Sequence, residues 1–227
     1  MSAPRRLVVA LDGPGGSGKS SVGARSATRL GYRFCDTGVL YRGLTLLAVR
    51  RGIDPADGAA LAELAPHLQL VTDGHERYMR LIVDGSELTS ELHSAGVDAA
   101  VSTVSAHAPV RAALLPVQRR LAEGGGIVMA GRDIGTVILP DADLKIYLDV
   151  SVEERARRRA DQRGVTDPDG RRQIEDELRE RDRLDSTRDV APLRIPDGAV
   201  VLNTDGNTLD QTVDLVVRLV ESVAHGE

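Results

Sequence analysis

Five apolar residues in a row, Leu7-Val8-Val9-Ala10-Leu11, stop at Asp12 and run straight into glycines. A short continuous run rich in β-branched residues and closed by a turn signal reads as a buried strand. A helix is expected over 19–30, with Gly31 suited to its C-terminal cap. A second short strand over 32–36 follows, then a second helix over 39–51 ended by Gly52. Strand, helix, strand, helix in this order predicts a parallel sheet covered by helices.

The alternation breaks over 55–105. A short Ala/Leu helix is followed by strand-like runs at 67–72 and 77–83, each trailed by an Asp-Gly pair, at 73–74 and 84–85. Asp-Gly beside alternating residues is a hairpin signal, and antiparallel hairpins are foreign to a wound parallel sheet. The chain therefore divides into a core, 1–54 and 106–227, and an inserted small α+β subdomain, 55–105. In the second core segment the pattern predicts a helix over 109–122 and strands over 127–129 and 144–150. An arginine-rich helix from Val152, a polar break at 164–170 and a charged helix over 171–184 come next. A strand at 199–202 and an amphipathic helix over 209–223 close the chain.

With 227 residues, one sizeable core carrying a small insert is expected, and two full domains are not. No apolar run approaches the roughly 20 residues of a membrane span. The five apolar residues after Arg5 and Arg6 also fall short of a signal-peptide core of about 7–15. A lone cysteine, Cys35, fits a reducing compartment, so a cytoplasmic location is expected. The net charge of −5 argues against non-specific nucleic-acid binding. Lysine occurs only at positions 19 and 145, so the basic charge is almost all arginine, which grips phosphate with two parallel donors.

Residues 13–20, Gly-Pro-Gly-Gly-Ser-Gly-Lys-Ser, match GxxxxGK[ST] between a strand and a helix. In such a loop the backbone N–H groups turn inward around phosphate oxygens. The lysine, Lys19, reaches the β and γ phosphates, and Ser20 ligates Mg²⁺ together with the ATP phosphates. The expected ATP-binding set is Gly13, Pro14, Gly15, Gly16, Ser17, Gly18, Lys19, Ser20 and Ser21. Gly13, Gly15 and Gly18 also satisfy GxGxxG, with Asp36 about 20 residues further on, as in a dinucleotide fold. The Lys19-Ser20 pair has no task there, which favours the triphosphate. A guanine-reading NKxD motif is excluded, because Gly18 and Leu144 precede the two lysines. A kinase or hydrolase remains. A kinase needs a second anionic pocket, for which Arg42, Arg111 and Arg132-Asp133 stand at suitable loop and helix-start positions.

Three segments then combine: Asp36-Thr37-Gly38 with Tyr41-Arg42, the run Gly131-Arg132-Asp133-Ile134-Gly135-Thr136, and 181–193, reading RDRLDSTRDVAPL. Together they resemble the bacterial cytidylate kinases, a family of nucleoside monophosphate kinases, over nearly the whole chain. The resemblance implies an α/β P-loop fold in three layers, with the insert binding the acceptor and a short arginine-rich lid at about 151–170. It implies transfer of the ATP γ-phosphoryl group to CMP or dCMP with Mg²⁺. By position, Thr37, Arg42 and Arg132 would meet the acceptor phosphate. Ser102, Arg111, Asp133 and Arg188 would read the cytosine, and Arg181 with Asp185 would approach the sugar. Lys19, Arg132, Arg158 and Arg181 would be the catalytic charges, and Arg157 would join the ATP site. Among Arg155, Arg157, Arg158, Arg159 and Arg163, one or two would touch nucleotide. The others would pair with neighbours such as Glu153 and Glu154, and the 164–170 break would act as the lid hinge.

Taken by spacing alone, Arg181, Asp185 and Arg188 equally fit a surface ion-pair row. The chain also departs from the family at Ala130, where an acidic residue usually precedes Gly-Arg-Asp. Asp12, Asp36 or Asp133 would have to compensate near Mg²⁺, or metal affinity would be weaker. The expected partners are CMP, dCMP and ATP, with no nucleic acid or membrane, and a monomer is the default. A kinase of another small acceptor, or a slow ATP-hydrolysing switch, are the alternatives.

Overall fold

A computed structural model describes residues 5–226. The opening alternation is realised as β1 (Val8–Asp12), α1 (Lys19–Leu30), β2 (Arg33–Asp36) and α2 (Gly38–Arg51). Gly31 and Gly52 cap the two helices at φ 63° and 65°, a region that favours glycine. Then come α3 (Gly58–Ala62), β3 (Leu68–Thr72), β4 (Arg77–Val83), β5 (Ser86–Glu87), α4 (Ala95–Ala106) and α5 (Ala108–Ala122). The remainder is β6 (Ile127–Gly131), β7 (Leu144–Asp149), α6 (Val152–Arg163), α7 (Pro168–Thr187), β8 (Val200–Asn203) and α8 (Leu209–His225).

All strands join one sheet in the order β3-β4-β2-β6-β1-β7-β8, with β5 beside β4. From β2 to β8 every pairing is parallel. Asp12 pairs with Gly131 and Asp36 with Ala130, so the loops after β1, β2 and β6 open at the same edge. Ligands of open α/β sheets collect at this edge. Alternate residues face opposite layers. Val9, Leu11, Phe34 and Ile146 pack with Val213, Val216 and Val220 of α8, whereas Ala10, Cys35 and Met129 pack with Ile134 and Ile138 on the other side. Helix α1 presses closely on β2: a Cβ on Gly23 would stand 2.5 Å from the Phe34 ring.

The hairpin expected in the insert is present, and β3 and β4 pair antiparallel. Asp84 and Gly85, at φ 47° and 82°, make the two-residue turn between Val83 and Ser86. The hairpin is also an extension of the main sheet, because β4 pairs parallel with β2 through Phe34↔Arg77 and Cys35↔Tyr78. Its Leu81, with Leu61 of α3 and Leu88 and Leu92 after β5, shares a core with Leu40, Leu44 and Leu47 of α2 and with Val110 and Leu114 of α5. Helix α4 is an element the hydrophobic pattern did not suggest. Its Val97, Val101 and Val104 form one buried stripe against that core. The 164–170 segment is a capped corner. Gly164 closes α6, the Asp167 side chain accepts from Gly170 N, and Pro168 starts α7 three residues earlier than its charge pattern implied.

Candidate active site

The loop between β1 and α1 owes its shape to Gly16 and Gly18, at φ 79° and 90°. It wraps around its own lysine. Lys19 is 7% exposed and its Nζ donates to Pro14 O at 2.7 Å and to Ser17 Oγ at 3.2 Å. Burial, and after it the neighbouring Arg132 guanidinium, holds the Lys19 ammonium well below its ordinary pKa. The Ser20 hydroxyl donates to Asp36 Oδ2, while Asp36 Oδ1 accepts from Gly38 N at 2.9 Å. Thr37 sits next to them, its hydroxyl donating to Ala130 O at 3.0 Å.

Beneath the loop, Asp12 fixes the chain just after Arg132-Asp133. Its two carboxylate oxygens accept from Ile134 N and Gly135 N, each at 2.8 Å, and the chain turns there through a short π-helical segment, Ile134–Ile138. Burial raises its pKa to about 6, against the opposing effect of the two N–H donors.

All nine residues expected at the acceptor line one pocket: Thr37, Arg42, Ser102, Arg111, Arg132, Asp133, Arg181, Asp185 and Arg188. Asp133 is its hub. Arg111 Nη2 donates to Asp133 and Nη1 to Ser105 O at 3.1 Å, and the guanidinium carbon lies 5.3 Å from the centre of the Tyr41 ring. Arg188 Nη2 lies 3.6 Å from Asp133 Oδ1, and Arg188 Nε donates to Ala191 O at 2.7 Å. Arg132 Nε donates to Asp185 Oδ2 at 3.0 Å. Arg42 Nη1 is shared between Asp98 Oδ1 at 2.7 Å and Leu92 O at 2.9 Å. Arg181 is the least compensated, with a buried Nε that has no partner among the described residues. Burial, then repulsion from Arg132, brings its pKa down to about 10. Arg181, Asp185 and Arg188 are thus drawn into the pocket instead of forming an exposed row.

A second pocket continues the first. It is lined by Lys19, Ser20 and Ser21 together with Arg155, Arg158 and Arg159, and it shares Asp36, Gly38, Arg42, Arg132 and Arg181 with the acceptor pocket. A groove on the outer side of the glycine loop brings Ser17 and Ser21 beside Arg157, Arg158, Thr204, Asn207 and Thr208. The five lid arginines separate accordingly. Arg155, 5% exposed, points inward and donates to Val150 O, Gly15 O and Asp182 Oδ2. Arg157 pairs with Glu154 and Asp161 at the surface. Arg158 bonds Glu154 Oε1 and Thr204 O, each at 2.7 Å, and borders both cavities. Arg163 reaches Glu177. Arg159 makes no hydrogen bond or ion pair among the described residues and faces the pocket, its pKa lowered by burial and then by Arg163.

Sequence reasoning did not identify Ser105 or His93 as site residues, although both line these pockets. Neither belongs to a spaced motif, so only proximity reveals them. The Ala130 side chain lies in the apolar layer. Of the three carboxylates named as substitutes, Asp12 is occupied by backbone N–H groups and Asp133 by arginines, leaving Asp36 beside Ser20. Among the described residues no group of three or more His, Cys, Asp or Glu side chains is arranged to hold a metal by itself, and no helix is long and apolar enough to cross a membrane.

A parallel sheet in three layers, with a GxxxxGKS loop leading into α1 and two joined cationic pockets at the strand ends, defines the class as a P-loop kinase fold. The gluconokinase from Sinorhizobium meliloti 1021 shares this fold, with a TM-score of 0.52 at 17% identity over 98% of this chain and 97% of that one. The sequence pattern described as Cytidylate kinase matches residues 9–222, and the chain belongs to that family. The cytidylate kinase of Mycobacterium leprae (strain Br4923) is 46% identical over 216 residues, covering 92% of this chain and 95% of its own. A bifunctional pantoate ligase/cytidylate kinase of Synechococcus sp. (strain CC9902) is 45% identical over 222 residues, and this chain spans 45% of its length.

Proposed function

We propose that the protein transfers the γ-phosphoryl group of ATP to CMP or dCMP, giving CDP or dCDP. The observation that carries this reading is Asp133 held between Arg111 and Arg188, in a pocket that opens directly onto the glycine loop. Cytosine presents an N4 amino donor and O2 and N3 acceptors. A carboxylate flanked by guanidinium groups matches both kinds, and Ser102 is at hand for a further bond. A base without this pattern would leave buried charges unpaired, which is a strong source of discrimination.

Arg42 and Arg132 receive the acceptor phosphate, with Thr37 shaping the wall. Gly13–Ser21 cradle the ATP phosphates, and Lys19 exchanges Pro14 O for phosphate oxygen. Arg158 and Arg181 flank the transferring group, and Arg157 borders the outer groove where the rest of ATP lies. The acceptor phosphate is already ionised near neutral pH, so it attacks in line without a general base, and catalysis is positioning plus charge neutralisation. Ser20 and Asp36 offer the oxygen donors that a hard divalent cation takes, so they are the residues that would hold Mg²⁺ or its waters. Bound with the ATP phosphates, Mg²⁺ supplies neutralisation of β- and γ-oxygen charge. On this reading the 55–105 stretch and the 151–170 lid are the two walls that meet over the substrates. The protein works in cytoplasmic pyrimidine nucleotide metabolism, as a monomer on free nucleotides.

The test is ADP release from Mg-ATP with CMP, dCMP, UMP, AMP or dTMP added in turn. Strong stimulation by CMP and dCMP, with little from the others, is the expected result. Slow turnover indifferent to all five would overturn the acceptor assignment and favour a hydrolytic switch.

A further inference from the structure

The two bonds from Arg42 Nη1, to Leu92 O and to Asp98 Oδ1, tie α2 to the head of α4. His93 lies inside that tie, immediately before the Ser94 cap of α4. Its side chain borders the pocket that holds Lys19, Ser20 and Arg132, and also the outer cleft that holds Asp98, Arg159 and Arg181. It therefore stands where the acceptor route meets the glycine loop. His67, His107 and His225 each engage a protein oxygen through a ring nitrogen. The His93 ring engages none among the described residues. The exposed ring has both nitrogens uncommitted among the described residues, and it shares its pocket with Lys19, Arg42, Arg132 and Arg159 as well as Asp36, so its N–H is a donor available to an anion drawn there by the cations.

We propose that His93 is a phosphate-contacting residue of the acceptor site, its imidazole N–H donating to an oxygen of the acceptor phosphate beside Arg42. The inference rests on the kinase reading above and adds a titratable group to its phosphate grip. The charged groups that act most on the ring are Arg42 from α2, Asp98 from α4, Asp36 from the end of β2 and Arg159 from α6, and Arg163 of α6 with Glu177, Glu180 and Arg181 of α7 line the outer cleft beside it. Burial first, then Arg42, holds the ring below its ordinary pKa of 6.5, with Arg159 acting in the same direction and Asp98 and Asp36 against it. An arriving dianion reverses this balance and raises the pKa, so binding takes up a proton. The affinity due to His93 is then greatest at low pH and is lost as pH rises through the bound-state pKa.

The experiment measures KM for CMP from about pH 6 to about pH 8.5 in the wild type, His93→Gln and His93→Arg. The phosphate of CMP titrates equally in all three, so differences between them report position 93. In His93→Gln, KM for CMP should rise about five- to tenfold near the acid end, the scale of one charge-assisted hydrogen bond at a partly open site, and converge on wild type at the alkaline end. KM for ATP should move much less. His93→Arg, with a permanent charge, should keep wild-type acid affinity and hold it at alkaline pH. Calorimetry of CMP binding in buffers of different ionisation enthalpy should show proton uptake in the wild type that both variants lack beyond the nucleotide's own. Thermal melts check that each variant is folded. A His93→Gln protein with the wild-type KM profile and proton uptake overturns the role of His93 and leaves CMP phosphorylation standing. Failure of the wild type to bind CMP overturns both.

Discussion

Arg188 and Arg111 approach the same carboxylate from different elements, and the consequences of losing either differ. Arg111 is fixed by Asp133, Ser105 O and the Tyr41 ring, so it holds Asp133 in place without help. Arg188 is bonded to Ala191 O and has a buried Nη2 without a hydrogen-bond partner, a donor free for a base. Arg188→Ala should therefore leave the pocket standing and raise KM for CMP by about 10- to 100-fold, with a smaller loss for UMP, so that selectivity narrows. Competition between CMP and UMP as acceptors measures it, and an unchanged ratio would contradict base reading by this residue. Asp36 offers a second test at this scale. Because it alone of the nearby carboxylates touches Ser20, Asp36→Asn should raise the Mg²⁺ concentration for half-maximal ADP release by about tenfold, while excess Mg²⁺ restores most of the rate. A Mg²⁺ titration coinciding with wild type would leave Asp36 with only its structural bonds to the Ser20 hydroxyl and Gly38 N.

Among the elements, α6 and α7 carry the least expected behaviour. An arginine-rich stretch followed by a Gly/Asp/Pro break suggests a free flap on a hinge. The helices instead pack through Ala156, Ala160, Ile174 and Leu178, and Arg155 pins them to the glycine loop through Gly15 O. Arg155→Ala would strand Asp182, which is already short of a partner on Oδ1, and should cost about 3–5 kcal/mol of stability and raise KM for ATP more than KM for CMP. Arg155→Lys should recover part of the stability and little of the ATP affinity, since the donors of an ammonium radiate from one nitrogen and cannot span acceptors that the guanidinium reaches with three separate nitrogens. Urea unfolding together with the two KM values separates these effects, and equal KM changes for both substrates would rule out loop positioning. Which of five neighbouring arginines turns inward was not legible in the chain, because it depends on α7, far along the sequence. The same holds for α4, whose valine stripe is spread among alanine and serine, and for the β4–β2 pairing, a contact between distant strands. By contrast, the glycine loop was legible because its chemistry requires fixed residue types at fixed spacings, whereas Arg132-Asp133 and the 181–188 row stood out only through the family resemblance, their spacing alone fitting solvated surface charges.

Seen as a whole, the molecule has one core around the sheet centre and another shared by α2, the hairpin, α4 and α5, with the cationic pockets between them. Arg42, Arg132, Arg159 and Arg181 face this space from α2, the loop after β6, α6 and α7; burial, and after it the neighbouring guanidinium groups, lowers the pKa of Arg159 and of Arg181. Mutual repulsion across a cleft favours separation of its walls, and anions between them favour approach. Two phosphorylated ligands should therefore bind more tightly together than singly, with each removing part of the repulsion opposing the other. At ligand concentrations of 100 times Kd, each alone should stabilise the protein by about 2.7 kcal/mol, and the pair by more than the sum. Hydrogen exchange should report this at the surfaces that meet: with CMP and a non-hydrolysable ATP analogue together, amides of α4 and of α6 should slow beyond the product of the single-ligand effects. Protection confined to the glycine loop with the ATP analogue and to α5 with CMP, with simple additivity for the pair, would mean that the walls stay apart and that charge neutralisation does not drive their closure.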